Sequence, residues 1–358
     1  MSTTRLANCV RSFRMQRGWA QAELAERAGI SRTAVSAIEG ERLIPSVATA
    51  LTLAEVFGVS VEALFGSSAT LLSAVSWAWL PPRSPWRYWQ AEVQGRWLAY
   101  PVERTGSVNA GHDGIAGMEG PAEPAGKRAR ETLVLATCDP AAGLLASEYQ
   151  RVSGLRLIVL TRSSGDALDL LQAGLVHVAG LHYATVGLQQ ENERVVRERL
   201  GGGYALLRAM DWQEGIAVAG GASARTVRGL LRSNPRWVGR EVGSAARACL
   251  DRLLPAQQNV RYIASDHWGV TTAIRSGWAD AGVCVQLVCE DAGLQFLSVQ
   301  LESCDLCFSE SLAGDRRIQA LVALLRSAAY RRLISELPGY DTRDMGTLHH
   351  CSAINPAG

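Results

Sequence analysis

The spacing of apolar and polar residues changes along the chain, and each change predicts a different kind of element. Over residues 4–65 apolar positions recur every three to four residues between short turns, which predicts a run of helices. Leu6, Val10 and Phe13 share one face of a first helix, which Gly18 ends. Gln21 to Ala28 forms a second helix with Leu24 and Ala25 facing inward, and Gly29 follows where a tight turn needs positive φ. Ser31 is placed to cap a third helix, Arg32 to Glu39, in which Val35 and Ile38 face the core. Gly40 and Pro45 separate it from a fourth helix, Ser46 to Phe57, and Val61 to Phe65 predicts a short fifth.

The pattern then loses its helical period. Trp77, Trp79, Trp86, Trp89 and Trp97 crowd together, and RYWQAEVQGRWLAYPVE predicts two strands around a Gln94-Gly95 turn. Tryptophans in such a module serve as packing between domains or as a surface that stacks bases or a ligand. Residues 105–130 are rich in Gly, Pro and Ala and predict a flexible linker.

From Glu131 buried-type strands alternate with helices. Strands are predicted at 132–138, 155–162 and 176–183, then near 215–219, 236–240, 259–264, 280–286 and 295–300. Helices are predicted near 224–232, 243–253, 267–277 and 314–335. In such sheets ligands bind beyond the carboxyl ends of strands. Those ends carry Cys138, Asp139, Ser163, Ser164, Gly165 and His182-Tyr183, with Asp266 and His267 further on. The expected division is 1–66, an all-α reader; 67–130, a Trp-rich β module and linker; and 131–358, two α/β lobes. Lobe 1 is placed at about 131–203 and 301–358, and lobe 2 at about 204–300.

Composition narrows the function classes. The chain has 358 residues, 47% hydrophobic and 20% charged, enough to bury a substantial core. Its net charge of +2 is too small for non-specific nucleic-acid binding, and Lys127 is the only lysine. No apolar run approaches the roughly 18 residues of a membrane span. Arg11 and Arg14 stand where a signal peptide would need apolar residues, so a cytoplasmic protein without a membrane partner is expected.

The run QAELAERAGISRTAVSAIEGERLIPS resembles the Cro/repressor-like helix-turn-helix family, the lambda-repressor-like fold. Ala25, Gly29, Ile30, Val35, Ile38-Glu39-Gly40 and Pro45-Ser46 fall in the family's places. The resemblance implies that the third helix enters the major groove of double-stranded DNA. Arg32, Thr33 and Ser36 then face base edges, the capping Ser31 joins them in the DNA-binding set, Gln21 opens the helix that contacts the DNA backbone, and Arg42 meets a phosphate. Ala20 departs from the family's usual Thr or Ser cap and leaves Gln21 less firmly placed. The module holds seven Arg against six Glu, so affinity is expected to need a homodimer or higher homo-oligomer.

The runs LATCDPAAGLLA, QAGLVHVAGLH, VGREVGSAAR, IRSGWADAGV and ELPGYDTRDMG are similar to the molybdate-binding-like domain of some bacterial regulators, a type II periplasmic-binding-protein fold. The resemblance implies a ligand held between lobes by helix N-termini and hydroxyls, an oxyanion such as molybdate being one candidate. Ser163 and Ser164 open one helix, and Gly243 and Ser244 open another beside Arg240 and Arg247, where free N–H groups favour an anion. The family's Gly-Ser-Gly-Thr-Arg is here Gly243-Ser244-Ala245-Ala246-Arg247, which weakens the case for a small oxyanion.

The cysteines offer an alternative. Cys284, Cys289, Cys304 and Cys307 form C-x4-C and C-x2-C pairs that fit a four-thiolate metal site or a redox pair. Cys284 and Cys307 also sit in apolar strand-like stretches where cysteine packs as a small hydrophobe. The expectation is a one-component, non-enzymatic regulator gated by a small ligand, with a metal- or thiol-redox sensor as the alternative. No triad, phosphate loop or spaced carboxylate pair marks an enzyme.

Overall fold

The computed structural model describes residues 10–351 except 18, 41, 60, 66–74, 104–110, 122, 186–187, 189, 222–223, 255–259 and 261. Helices α1 (Val10–Gln16), α2 (Gln21–Arg27), α3 (Arg32–Glu39), α4 (Val47–Phe57) and α5 (Val61–Phe65) form the N-terminal unit. Val10, Leu24, Val35, Ile38, Leu53, Phe57 and Leu64 close its core, as the helical period requires. Gly29 takes φ +61, and the Ser31 hydroxyl accepts the Ala34 N–H at 3.1 Å. Leu6 and Gly18 lie outside the described residues.

The tryptophan-rich segment forms strands β1 (Ser76–Trp77), β2 (Trp86–Val93), β3 (Arg96–Pro101) and β4 (Gly114–Ala116) in one sheet, ordered β1-β3-β2-β4. Gln94 and Gly95 have φ of 51 and 75, the two left-handed positions of a tight hairpin. Trp89, Leu98 and Tyr100 pack directly onto Val134, Ile158 and Leu168 of the following domain. The flexible linker predicted at 105–130 is corrected over its described part. Residues 114–116 are a strand, and Asp113 is buried against Arg156 at 2.7 Å. Helix α6 (Lys127–Arg130) leads straight into the next strand. Pairing to Arg156 and to the β2 backbone explains how the described part of so Gly- and Pro-rich a stretch is held in place at Asp113.

The α/β domain contains β5 (Thr132–Thr137), α7 (Ala142–Ser153), β6 (Arg156–Thr161), α8 (Ser164–Gln172), β7 (Val178–Thr185) and α9 (Glu191–Leu200). β8 (Tyr204–Val218), α10 (Val227–Arg232), β9 (Trp237–Arg240), α11 (Ala245–Leu253), β10 (Tyr262–Ala264), α12 (His267–Arg275), β11 (Ala281–Val285) and α13 (Gln286–Asp291) follow. The chain continues through β12 (Gln295–Ser309), α14 (Arg316–Arg326), α15 (Ala328–Ser335), β13 (Tyr340–Asp341) and β14 (Leu348–Cys351). The ten described strands make one mixed sheet, ordered β10-β9-β11-β8-β12-β7-β5-β6, with β13 and β14 also pairing β8. β5 is buried on both faces. Leu133 and Leu135 meet Leu145, Tyr149 and the C-terminal helices, while Val134 and Ala136 meet the tryptophan module.

β8 and β12, fifteen residues each, run antiparallel through both halves. The strand predicted near 215–219 therefore starts at Tyr204, and the chain has no break at 203/204. The N-terminal part of β8 pairs with β13, β14 and the end of β12. Its C-terminal part pairs with β11 and the start of β12. The helix predicted at 314–335 divides at Ser327, whose hydroxyl caps α15. His349-His350-Cys351 lies on β14, paired with the start of β8.

Candidate functional site

Two regions gather the residues singled out by sequence. In the N-terminal unit Arg32 and Thr33 are exposed at the start of α3, Ser36 is half-buried one turn on, and Arg42 is exposed beyond its end. Ser31 spends its hydroxyl on the cap, with Thr33 Oγ1 at 2.8 Å. Ala20 gives α2 no side-chain cap, as the sequence implies, but Gln21 is not loose: its Nε2 donates to Glu39 Oε2 at 2.9 Å. Glu39 also accepts from Arg14 Nε at 2.6 Å and Nη2 at 3.0 Å. Burial pushes the Glu39 pKa up, but the Arg14 and Gln21 hydrogen bonds outweigh it and hold it below the usual carboxylate value. This buried pair fixes α1, α2 and α3 together and sets the angle at which α3 is presented.

In the α/β domain the carboxyl ends of β5, β6 and β7 meet α11 and α12 of the other half. Gly165 sits so close to the opposite loop that a Cβ there would stand 3.1 Å from the Gly243 carbonyl oxygen. Tyr183 donates its hydroxyl hydrogen to that same oxygen at 2.9 Å, so the halves touch across the cleft. Ser163 caps α8 and donates to Asp166, whereas the buried Ser164 hydroxyl beside it has no hydrogen-bond partner. Ser244 is spent on capping α11 and on the Glu241 carbonyl, and Asp266 caps α12. Arg240 is buried at 2% exposure, held by Glu241 and the Ser265 carbonyl. Arg247 turns its Nε to Asp251 at 2.8 Å, while its Nη1 donates to the Arg240 carbonyl at 3.4 Å.

Behind this lies a polar layer. Cys138 Sγ is 3.0 Å from His182 Nε2, and His182 Nδ1 is 2.6 Å from Glu302 Oε2. Asp139 accepts from the Tyr340 hydroxyl at 2.8 Å. His267 is fully buried with neither ring nitrogen bonded, and its ring meets Trp212 edge-on at 6.4 Å. Burial, then the charges of Arg240 and His182, hold the His267 pKa well below its usual value.

Sequence reasoning did not single out Trp212, Glu214, Gln300 or Glu302, which the structure places beside His182. Strand alternation puts Trp212 and Glu214 on one face, and the register sets Glu302 against Trp212 and Gln300 against Glu214. Trp212 Nε1 donates to Glu302 at 3.1 Å, and Gln300 Nε2 reaches Glu214 at 3.1 Å and Glu302 at 2.7 Å. The available signal was a charged residue inside an apolar strand, as at Glu214 before Gly215-Ile216-Ala217-Val218.

The four-cysteine centre is corrected. Cys284 lies on β11 with its thiol on the His267 carbonyl, and Cys289 lies on α13 against the carbonyls of Leu294 and Gln295. Cys304 and Cys307 are three apart on β12, which puts them on opposite faces of the strand. Among the described residues His182, Glu214 and Glu302 are the one group spaced to share a metal ion. Burial pushes the Cys284, Cys304 and Cys307 thiols well up and Cys289 to about 12, which disfavours the thiolate needed for ligation or exchange.

Residues 10–64 match a helix-turn-helix family model, and residues 146–326, half of the chain, match the PBP superfamily domain. The uncharacterized protein YvgK of Bacillus subtilis (strain 168) is 28% identical over 196 residues, 51% of this chain and 62% of that protein. The chain thus spans less than two thirds of that relative's length. Among solved structures, PhnD1 from Prochlorococcus marinus (MIT 9301), in complex with methylphosphonate, is 11% identical with a TM-score of 0.42. That match covers 59% of this chain and 92% of that one. A putative phosphate ABC transporter substrate-binding protein with bound phosphate from Clostridium perfringens is 8% identical with a TM-score of 0.46, covering 57% and 97%. No described helix is long and apolar enough to cross a membrane.

Proposed function

The chain belongs to the PBP superfamily, with a helix-turn-helix ahead of that domain, and from this we propose a one-component transcription regulator that senses a small anionic ligand between its α/β halves. The observation that carries the ligand class is the meeting of two helix N-termini across a closed cleft. The α8 end contributes Ser164, whose buried hydroxyl is unpartnered, and the α11 end follows Gly243. Buried Arg240 and unbonded His267 add cationic and hydrogen-bonding capacity from the second half. Free N–H groups at both ends favour negative charge, and burial keeps those interactions unscreened.

In this reading the ligand binds the closed arrangement better than the open one, and that difference is what shifts the reader. Two copies of the chain present their α3 helices to two half-sites, with Arg32, Thr33 and Ser36 on bases and Gln21 and Arg42 on the backbone. Selection from random-sequence DNA would supply an operator. Thermal shift with molybdate, tungstate, phosphate and small carboxylates would then test the sensor, each active anion being checked for its effect on operator affinity. Stabilisation by at least one anion together with altered operator binding is expected; a flat response to the whole panel would overturn the anion reading.

A further inference from the structure

We propose that His182, Glu214 and Glu302 bind one divalent first-row transition-metal ion where β7, β8 and β12 run side by side at the crossover between the halves. One donor atom from each of the three lies within 4.8 Å of the others. Donors around such an ion stand about 3–3.5 Å apart, so small side-chain rotations bring them into place.

Charge supports the assignment. Glu214 and Glu302 are buried at 0% and 1% exposure, and among the described residues neither has an arginine or lysine within ion-pairing distance. His182, 2.6 Å from Glu302, can offset at most one of two such carboxylates, and the other is costly without a further cation. A divalent ion with two carboxylates and a neutral imidazole makes a neutral set. A second observation points the same way: Glu214 is wholly buried and its Oε1 takes no well-formed hydrogen bond, the polar groups nearest the carboxyl being Glu302 and the Cys249 thiol. Beyond the 2.6 Å contact of Glu302 with His182 Nδ1, the other carboxylate oxygens are oriented by neutral donors, Gln300 reaching both glutamates and Trp212 reaching Glu302. That is the outer support expected around metal-ligating carboxylates.

The donor set selects the ion class. One imidazole nitrogen with two carboxylates suits zinc, manganese, iron or cobalt better than calcium or magnesium, which prefer all-oxygen sites. An ion here would join strands from both halves and stiffen the crossover beneath the cleft.

The test uses the full chain. Protein purified without chelators should retain about one equivalent of transition metal by elemental analysis. Chelated protein should gain thermal stability on adding Zn²⁺, Mn²⁺ or Co²⁺ alone, with no anion present, which separates this result from the cleft reading. Glu214→Gln should weaken binding at least tenfold, as should His182→Gln, while Cys304→Ser should leave it unchanged. Should Glu214→Gln fail to fold, the visible absorption of Co²⁺ bound to the unmutated chain decides instead. No retained metal and no stabilisation by any of the three ions would overturn the proposal, and so would binding that survives Glu214→Gln.

Discussion

Tyr183 donates its hydroxyl hydrogen to the carbonyl oxygen of Gly243 at 2.9 Å, a bond between the end of β7 and the loop that opens α11. It is one of the direct polar ties across the cleft, and Gly165 keeps the approach close. Tyr183→Phe removes the tie without changing the ring, at a cost of about 1 kcal/mol to the closed arrangement. Amide exchange at residues 243–246 should speed up several-fold in this variant. Exchange identical to that of the parent would show that the bond does not hold the halves together.

The Arg14–Glu39 pair is nearly buried and locks the reader. Glu39→Ala leaves Arg14 buried without its partner and frees Gln21, so the N-terminal unit should lose about 3 kcal/mol or more. Because the folded Glu39 pKa is depressed, its contribution is full above the ordinary value of 4.5 and is lost as pH falls through the lower folded value. Calorimetry of the full chain should show the reader's transition moving down on acidification, and moving less in Glu39→Gln.

His177 titrates with the same sign for a different reason. Its Nδ1 accepts the Val134 N–H at 3.0 Å, so Nε2 carries the proton and donates to the Glu92 carbonyl at 2.9 Å, joining the tryptophan module to the α/β domain. Burial, then the Arg317 charge, lowers its pKa from 6.5 to about 3. The neutral ring is therefore required: stability is full above 6.5 and falls as pH drops towards 3. The slope is at most about 1.4 kcal/mol per pH unit. Urea unfolding at pH 7 and pH 5 should show this loss, and His177→Gln should lack that share of it.

On DNA, the α3 residues and Arg42 should separate by the kind of loss. Arg32→Ala, Thr33→Ala and Ser36→Ala should each cost about 1–3 kcal/mol on the selected operator and relax sequence preference. Arg42→Ala should weaken all sequences alike and reduce the salt slope by about 1. Titrations at two or more salt concentrations distinguish the two outcomes.

The seven cysteines from Cys138 to Cys351 are all buried, so thiol reagents should label none of them rapidly in the folded chain. Mass spectrometry after brief alkylation checks this. Fast labelling of Cys304 or Cys307 would restore the thiol-sensing alternative.

Much of the reader was legible in sequence because its contacts are local: three- and four-residue spacing, Gly29, and the Ser31 cap each leave a mark within a few residues. The cleft was half legible. Ser164, Arg240 and His182 stand at element ends, where a sequence pattern can find them. The same pattern cannot tell a hydroxyl spent on capping, as at Ser163 and Ser244, from one left free. The linker prediction failed because Asp113 finds Arg156, 43 residues away, which composition cannot show.

By itself the sequence determined the order of units, the α/β alternation and the presence of hydroxyls and arginines at helix starts, since backbone periodicity and capping act over one or two turns. Tertiary structure alone decided that four spaced cysteines stay apart and that Glu214, Glu302 and His182 meet. That meeting depends on the register between β8 and β12 and on the neighbouring β7. Register is set by packing across the whole sheet, where a slip of one residue would turn each of these side chains to the opposite face.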